Sequence, residues 1–128
     1  MIGCEGRTAM ATSEIGKELR KLRIDNDERL LDMAGRLNKS AAFLSAIETG
    51  KKTPPTGFEE LVANAYGLME AAAVKLRRAA DRSRKAFTIE AHSVLAKDTA
   101  GLLARKMDTL SDQDLKNILQ VLRKGDAD

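Results

Sequence analysis

Hydroxyl and ammonium groups are concentrated in one short stretch of this 128-residue sequence. Between residues 39 and 52, three hydroxyl side chains lie between lysines: Ser40, Ser45 and Thr49 follow Lys39 and precede Lys51 and Lys52. Lysines contact phosphate groups, and Ser or Thr hydroxyls hydrogen-bond to phosphates or to base edges. The residue types in this stretch therefore indicate binding of a polyanion.

Catalytic and metal-binding chemistry have little support in the sequence. Cys4 is the single cysteine and His92 the single histidine, so an intramolecular disulfide is excluded and a zinc site would need carboxylates from distant segments. The sequence has no glycine-rich phosphate loop and no nucleophile with an obvious base. We expect a protein that is not an enzyme and that uses no cofactor or metal.

The composition favours packed helices. Hydrophobic residues make up 43% of the chain and aromatic residues 3%, so the core must be built from aliphatic side chains. The net charge of +3 is compatible with a polyanionic partner. No run approaches the roughly 20 apolar residues of a membrane helix, and the first residues do not resemble a signal peptide. We therefore expect no membrane partner and a cytoplasmic location.

Helical periodicity and capping residues predict an all-α chain. Residues 1–12 lack periodicity and are expected to form a disordered tail, in which Met10 offers an alternative start of translation. Residues 87–90 are expected to be a loop or a short strand. The predicted helices span about 13–25, 30–37, 40–48, 57–66, 69–86 and 93–107, and a seventh begins at the capping box of residues 111–114.

The segment 29–50 has the pattern of two short helices joined by a tight turn. Asn38 tolerates the left-handed conformation that such a turn requires, and Ala34 is small enough for a close helix crossing. Leu44 and Ile47 anchor the second helix. The outer face of the second helix would project from the surface, as a helix must to enter the DNA major groove. The residues predicted on this face are Ser40, Ala41, Ala42, Ser45 and Ala46.

The stretch from Ile15 to Leu68 resembles the Cro/repressor-type (XRE) helix-turn-helix family. The likeness lies in Leu22-Arg23, Met33-Ala34, Leu44-Ser45-x-Ile47-Glu48-x-Gly50-Lys51-x-x-Pro54 and Tyr66-Gly67-Leu68. The resemblance implies a five-helix lambda-repressor-like fold in which the third helix reads the groove, usually in dimers on inverted repeats. It also implies that Arg23 and Glu48 form an ion pair between the first helix and the end of the third.

The sequence departs from the family pattern at positions that matter for base reading. Leu30 stands where family members often have Gln, and Asn38 where the turn often has Gly. Ala41, Ala42 and Ala46 replace residues that often hydrogen-bond to bases, whereas an alanine methyl can only touch that of thymine. Base reading would then depend on the hydroxyls, the lysines and DNA shape. The predicted DNA-binding residues are Lys39, Ser40, Ala41, Ala42, Ser45, Ala46, Thr49, Lys51 and Lys52.

The predicted domains are a DNA-binding domain at 13–68 and a helical C-terminal extension at 69–128. The extension carries two apolar stripes, so we expect it to be buried in a homodimer; folding back on the first domain is the alternative. Residues 69–86 contain six basic and two acidic residues. They form either a solvated helix face or an additional phosphate contact.

These features predict a sequence-specific transcriptional regulator that binds double-stranded DNA as a dimer at an inverted repeat and acts as a repressor. A second hypothesis is an antitoxin whose C-terminal helices bind a toxin. A third is a protein-interaction module with weak DNA binding. A protein partner, either a toxin or an antirepressor, is compatible with the extension.

Overall fold

The computed structural model describes residues 12–124, and in this range the chain is helical without any strand. The all-α prediction is confirmed, and residues 87–90 are a loop. The helices are α1 (Glu14–Asp25), α2 (Leu30–Leu37), α3 (Ala41–Glu48), α4 (Phe58–Ala65), α5 (Glu70–Arg82), α6 (Val94–Lys106) and α7 (Asp112–Arg123), with a 3₁₀ turn at Met107–Thr109. The predicted disordered tail lies outside the described residues, apart from Thr12.

Serine caps fix the start of four of these helices. The hydroxyl of each accepts a hydrogen bond from the backbone N–H three residues ahead, which satisfies a donor that the first helical turn leaves unpaired. The predicted capping box at α7 is present, since Asp114 Oδ2 also accepts from Ser111 N at 3.2 Å. The four capping serines are Ser13, Ser40, Ser93 and Ser111.

The chain divides between Ala86 and Phe87 into two compact units. The first contains helices α1–α5 around one aliphatic core, and its largest fully buried side chains come from all five helices. Phe58 adds the one buried aromatic ring among the described residues. This core fixes the five helices relative to one another. The fully buried side chains are Ile15, Leu19, Met33, Leu37, Leu44, Ile47, Val62 and Leu76.

Helix α5 belongs to the first unit, whereas the predicted division after residue 68 placed it in the extension. Its Ala73, Leu76 and Ala80 are buried in the same core as α1 and α4. The helix also ends at Arg82 rather than near residue 86, because the next two side chains turn inward. Ser83 Oγ accepts from Ile15 N, and the Arg84 guanidinium donates to the Pro54 and Pro55 carbonyls.

The second unit contains α6, the 3₁₀ turn and α7. None of its described residues is buried, and Leu102, Val121 and Leu122 are at least half exposed. A unit of this size rarely has enough core to be stable alone. Its apolar surface therefore requires cover from another surface.

Candidate nucleic-acid interface

A tight turn between α2 and α3 holds the two helices at a fixed angle. Asn38 occupies the left-handed region at φ 57° and ψ 45°, as its side chain type predicts. The backbone N–H of Lys39 then donates to Ala34 O at 2.9 Å, which closes the end of α2. Ser40 caps α3 by accepting from Phe43 N at 3.0 Å. Residues 30–48 thus form two short helices joined by a tight turn, as predicted.

Helix α3 is anchored by its inner face and by its last residue. Leu44 and Ile47 are completely buried. Glu48 is also buried, and both its carboxylate oxygens accept hydrogen bonds from the Arg23 guanidinium on α1. The Arg23–Glu48 pair implied by the resemblance is therefore observed, with Arg20 as a second, longer contact at 3.4 Å. Removing one partner of a fully buried pair costs about 3–5 kcal/mol.

The outer face of α3 carries small side chains. Ala42 and Ser45 are exposed, and Ala46 and Thr49 are half-buried beside them. Ala41 differs from the prediction, because it is half-buried and packs against the core. A surface of methyl and hydroxyl groups allows close approach to another surface but offers few hydrogen-bond donors.

The three hydroxyl groups of this region differ in their remaining hydrogen-bonding capacity. Ser45 Oγ has no hydrogen-bond partner among the described residues, so both its proton and its lone pairs are available. Ser40 Oγ accepts from Phe43 N, which leaves its proton free to donate. Thr49 Oγ1 already donates to Ser45 O at 2.9 Å and retains only acceptor capacity. Ser45 is therefore the best-placed donor on α3.

Two lysines from opposite ends of α3 meet at one aromatic ring. Lys39 Nζ lies 5.4 Å and Lys52 Nζ 5.8 Å from the centroid of the Phe43 ring. That ring rests edge-on against Phe58, with centroids 5.9 Å apart. Cation–π attraction at these distances favours side-chain conformations that hold both ammonium groups near the ring. Lys51 is exposed in the same loop as Lys52.

The sequence pattern did not predict this arrangement of two lysines around Phe43. Lys39 and Phe43 are not a helical i, i+4 pair, because Lys39 precedes Ser40, the N-cap of α3. Lys52 joins them only through the return of the chain after α3, where Lys52 N donates to Ala46 O at 3.0 Å. The structure therefore brings Lys39 and Lys52 together, and sequence spacing alone does not.

A second polar cluster joins the segment before α2 and the last turn of α2 to the end of α4. Tyr66 Oη donates to Glu28 Oε1 at 2.6 Å, and Arg36 Nε donates to Glu28 Oε2 at 3.0 Å. The Arg36 guanidinium also stacks 4.4 Å from the Tyr66 ring centroid. The hydrogen bonds from Tyr66 and Arg36 lower the pKa of Glu28, and burial together with the Glu28 carboxylate raises the pKa of Tyr66. This cluster holds Arg36 by two contacts within the protein.

Between residues 12 and 124 no group of His, Cys, Asp or Glu side chains could hold a metal ion. The same range contains no helix with the length and apolar character needed to cross a membrane. His92 is exposed, with Glu90 Oε1 at 3.9 Å from its Nε2, and Cys4 lies outside the described residues.

Comparison of the chain with protein-family models, with curated proteins and with solved structures found no match.

Proposed function

We propose that this protein is a sequence-specific DNA-binding transcriptional regulator of the Cro/repressor (XRE) type, with a lambda-repressor-like arrangement of α1–α5. The observation that carries this proposal is the combination of an anchored α3, an outer face of small side chains, and lysines at both ends of the helix. An α-helix fits the major groove, and lysines at its two ends are suited to the phosphates that border that groove.

The proposed contacts divide into two classes. Lys39, Lys51 and Lys52 would neutralise phosphates and set the position of α3. Ser45 would donate to a base edge, while the methyl groups of Ala42 and Ala46 would contact thymine methyls. Because few base contacts are available, sequence-dependent DNA shape would supply part of the specificity.

We further propose that two copies associate through the second unit and present two α3 helices to an inverted repeat. A groove of about 540 Å³ separates α6 from α7. Its lining residues are almost all apolar: Leu102, Leu103, Leu110, Ile118, Val121 and Leu122, with Thr99 and Lys106 at the polar positions.

The exposed apolar area is close to what a stable dimer needs. Seven apolar side chains of α6, α7 and the 3₁₀ turn between them are 43% to 77% exposed: Val94, Leu95, Leu102, Met107, Leu119, Val121 and Leu122. Full burial of such a side chain removes roughly 60–120 Å² from water. Two copies together would therefore bury roughly 800–1,700 Å² of apolar area, of the same order as the apolar part of a standard interface of about 1,200–2,000 Å².

Selection of bound sequences from random double-stranded DNA by the full chain tests the proposed function. We expect enrichment of an inverted repeat whose half-sites are about 10 base pairs, or a multiple of this, apart. Enrichment of a single half-site would retain DNA binding but contradict the dimer. Recovery of no motif, with no binding at low salt, would contradict DNA binding and favour a protein-interaction module.

A further inference from the structure

The charges of α5 are distributed unevenly around the helix. Lys75 and Arg82 are exposed, and Lys85 is exposed just beyond the helix end. Positions 75 and 82 are seven residues apart, so they lie on one face of the helix. The opposite face is buried through Leu76 and Ala80. A cationic stripe therefore points away from the core.

Ser83 and Arg84, which lie between Arg82 and Lys85, fix the position of the end of α5. Ser83 Oγ donates to Ala79 O at 3.0 Å and accepts from Ile15 N at 3.3 Å. The Arg84 guanidinium donates to the carbonyls of Pro54 and Pro55, each at 2.9 Å. It also forms an ion pair with Glu59 at 2.7 Å, with both side chains 13% exposed.

These contacts join the end of α5 to the loop that follows α3. Pro54 and Pro55 come directly after Lys51, Lys52 and Thr53 in that loop. Residues 83 and 84 face inward to make the contacts, while the cations on either side of them, Arg82 and Lys85, are exposed. The structure thus holds two further positive charges at a segment attached to the proposed phosphate-binding loop.

We propose that Arg82 and Lys85 form a second phosphate-contacting site, which binds the DNA backbone outside the segment that α3 occupies. The proposal rests on the proposed function, since it extends the same DNA surface. The backbone is already anchored at Ser83 and Arg84, so it loses little conformational freedom when DNA binds. The entropy cost of binding therefore offsets less of the attraction between these cations and the phosphates. Each neutralised phosphate releases counterions and makes affinity more dependent on salt.

The test compares two duplexes that share one selected sequence. The first ends at the edges of that sequence, and the second carries about 10 further base pairs on each side, which is one helical turn. Affinity of the full chain is measured over a range of salt concentrations. For Arg82→Gln/Lys85→Gln, we expect the slope of log affinity against log salt on the longer duplex to fall in magnitude by about 1.8, or about 0.9 per phosphate. On the shorter duplex the variant should match the unaltered protein.

The matched control is Lys97→Gln/Lys116→Gln, which removes the same charge from exposed positions of the second unit. It should leave the salt slope unchanged on both duplexes, and thermal unfolding should show that both variants fold. Equal losses in the two double variants, or an unaltered slope for Arg82→Gln/Lys85→Gln, would overturn this inference while leaving DNA binding through α3 intact. Failure of the unaltered protein to bind either duplex would instead overturn the proposed function as well.

Discussion

At the scale of single residues, the chemistry of the interface depends on how Phe43 holds its two lysine neighbours. An exposed lysine side chain is flexible and loses conformational entropy when it binds a phosphate. In the proposed DNA complex the Phe43 ring would reduce this loss, because it already attracts the ammonium groups of Lys39 and Lys52 in the free protein. We therefore propose that Phe43 is a positioning residue that carries no charge itself.

Phe43→Leu distinguishes the effect of positioning the two lysines from the effect of their charge. Leucine keeps an apolar contact with the core but lacks the ring, so each ammonium group loses an attraction of about 0.5–1 kcal/mol. We expect DNA affinity to fall several-fold with an unchanged salt slope, whereas Lys52→Gln should lower that slope by about 0.9. Titrations at several salt concentrations distinguish the two. Phe43→Tyr, which retains a ring, is the control, and a salt slope that fell equally in Phe43→Leu would contradict the positioning role.

At the scale of helices, the angle of α3 depends on a very close contact with α1. Ser13 N donates to Glu48 O at 2.7 Å, and Ser13 Oγ donates to Ile47 O at 2.9 Å. Gly16 sits against the same end of α3, where a Cβ atom would lie 2.5 Å from Glu48 O. Only glycine allows this approach of the two backbones.

Gly16→Ala should therefore destabilise the first unit by about 1–3 kcal/mol, as overpacking of a close contact does. Gly35→Ala on α2 is a matched control, because no atom lies within 4 Å of its added Cβ. That change should stabilise the protein by about 0.5–1 kcal/mol, since alanine favours helix more than glycine does. Urea unfolding measures both, and equal effects of the two substitutions would show that the α1–α3 contact is not close in solution.

Glu59 links the stability of the first unit to pH. Burial raises the pKa of Glu59, but hydrogen bonds from Arg84 outweigh this and hold it below its ordinary value of 4.5. A carboxyl group with a lowered pKa stabilises the folded state above its unfolded pKa, and this contribution is lost as the pH falls through the folded value. We expect the free energy of unfolding to decrease below about pH 4.5, and Glu59→Gln to reduce that decrease. Identical pH profiles for the variant and the unaltered protein would contradict this link.

Local signals made most helix boundaries predictable, whereas long-range contacts were not predictable. The Ser13, Ser40 and Ser111 caps depend only on residues three positions away, and Asn38 carries its turn preference in its own side chain. The end of α5 depends instead on Arg84 reaching the loop of Pro54, about 30 positions earlier. Helical spacing could not reveal such a partner, so it predicts an α5 that runs to about residue 86 rather than one that ends at Arg82.

Local sequence signals also did not predict the burial of side chains on α3 and at the end of α1. The pattern predicted an outer face from Ser40 to Ala46, but neighbouring helices bury part of Ala41. Ile24 continues the apolar helical spacing of α1, yet its side chain is 74% exposed. Helical periodicity predicts which face of a helix carries a side chain, whereas the burial of that side chain depends on which other element packs against that face.

At the scale of the whole molecule, self-association should depend on the groove between α6 and α7. Leu102→Glu/Leu122→Glu places two carboxylates in that groove, where burial against a second copy would cost several kcal/mol. We expect the unaltered chain to sediment as a dimer and the variant as a monomer. Lys116→Glu/Gln120→Glu, on exposed positions of α7, should remain dimeric. A dimer that survives the leucine changes would assign association to another surface or another partner.

The affinity of Ser45→Glu/Lys51→Glu for the selected duplex tests the central claim, that α3 enters the major groove. The first change places a carboxylate on the exposed face of α3, and the second reverses a charge in the loop beyond it. We predict a loss of about 100-fold or more, because each altered contact is worth about 1–3 kcal/mol. The control Lys116→Glu/Gln120→Glu changes the net charge by the same amount and should bind normally. Unchanged binding by Ser45→Glu/Lys51→Glu, or an equal loss in the control, would contradict the assignment of α3 as the DNA-reading helix.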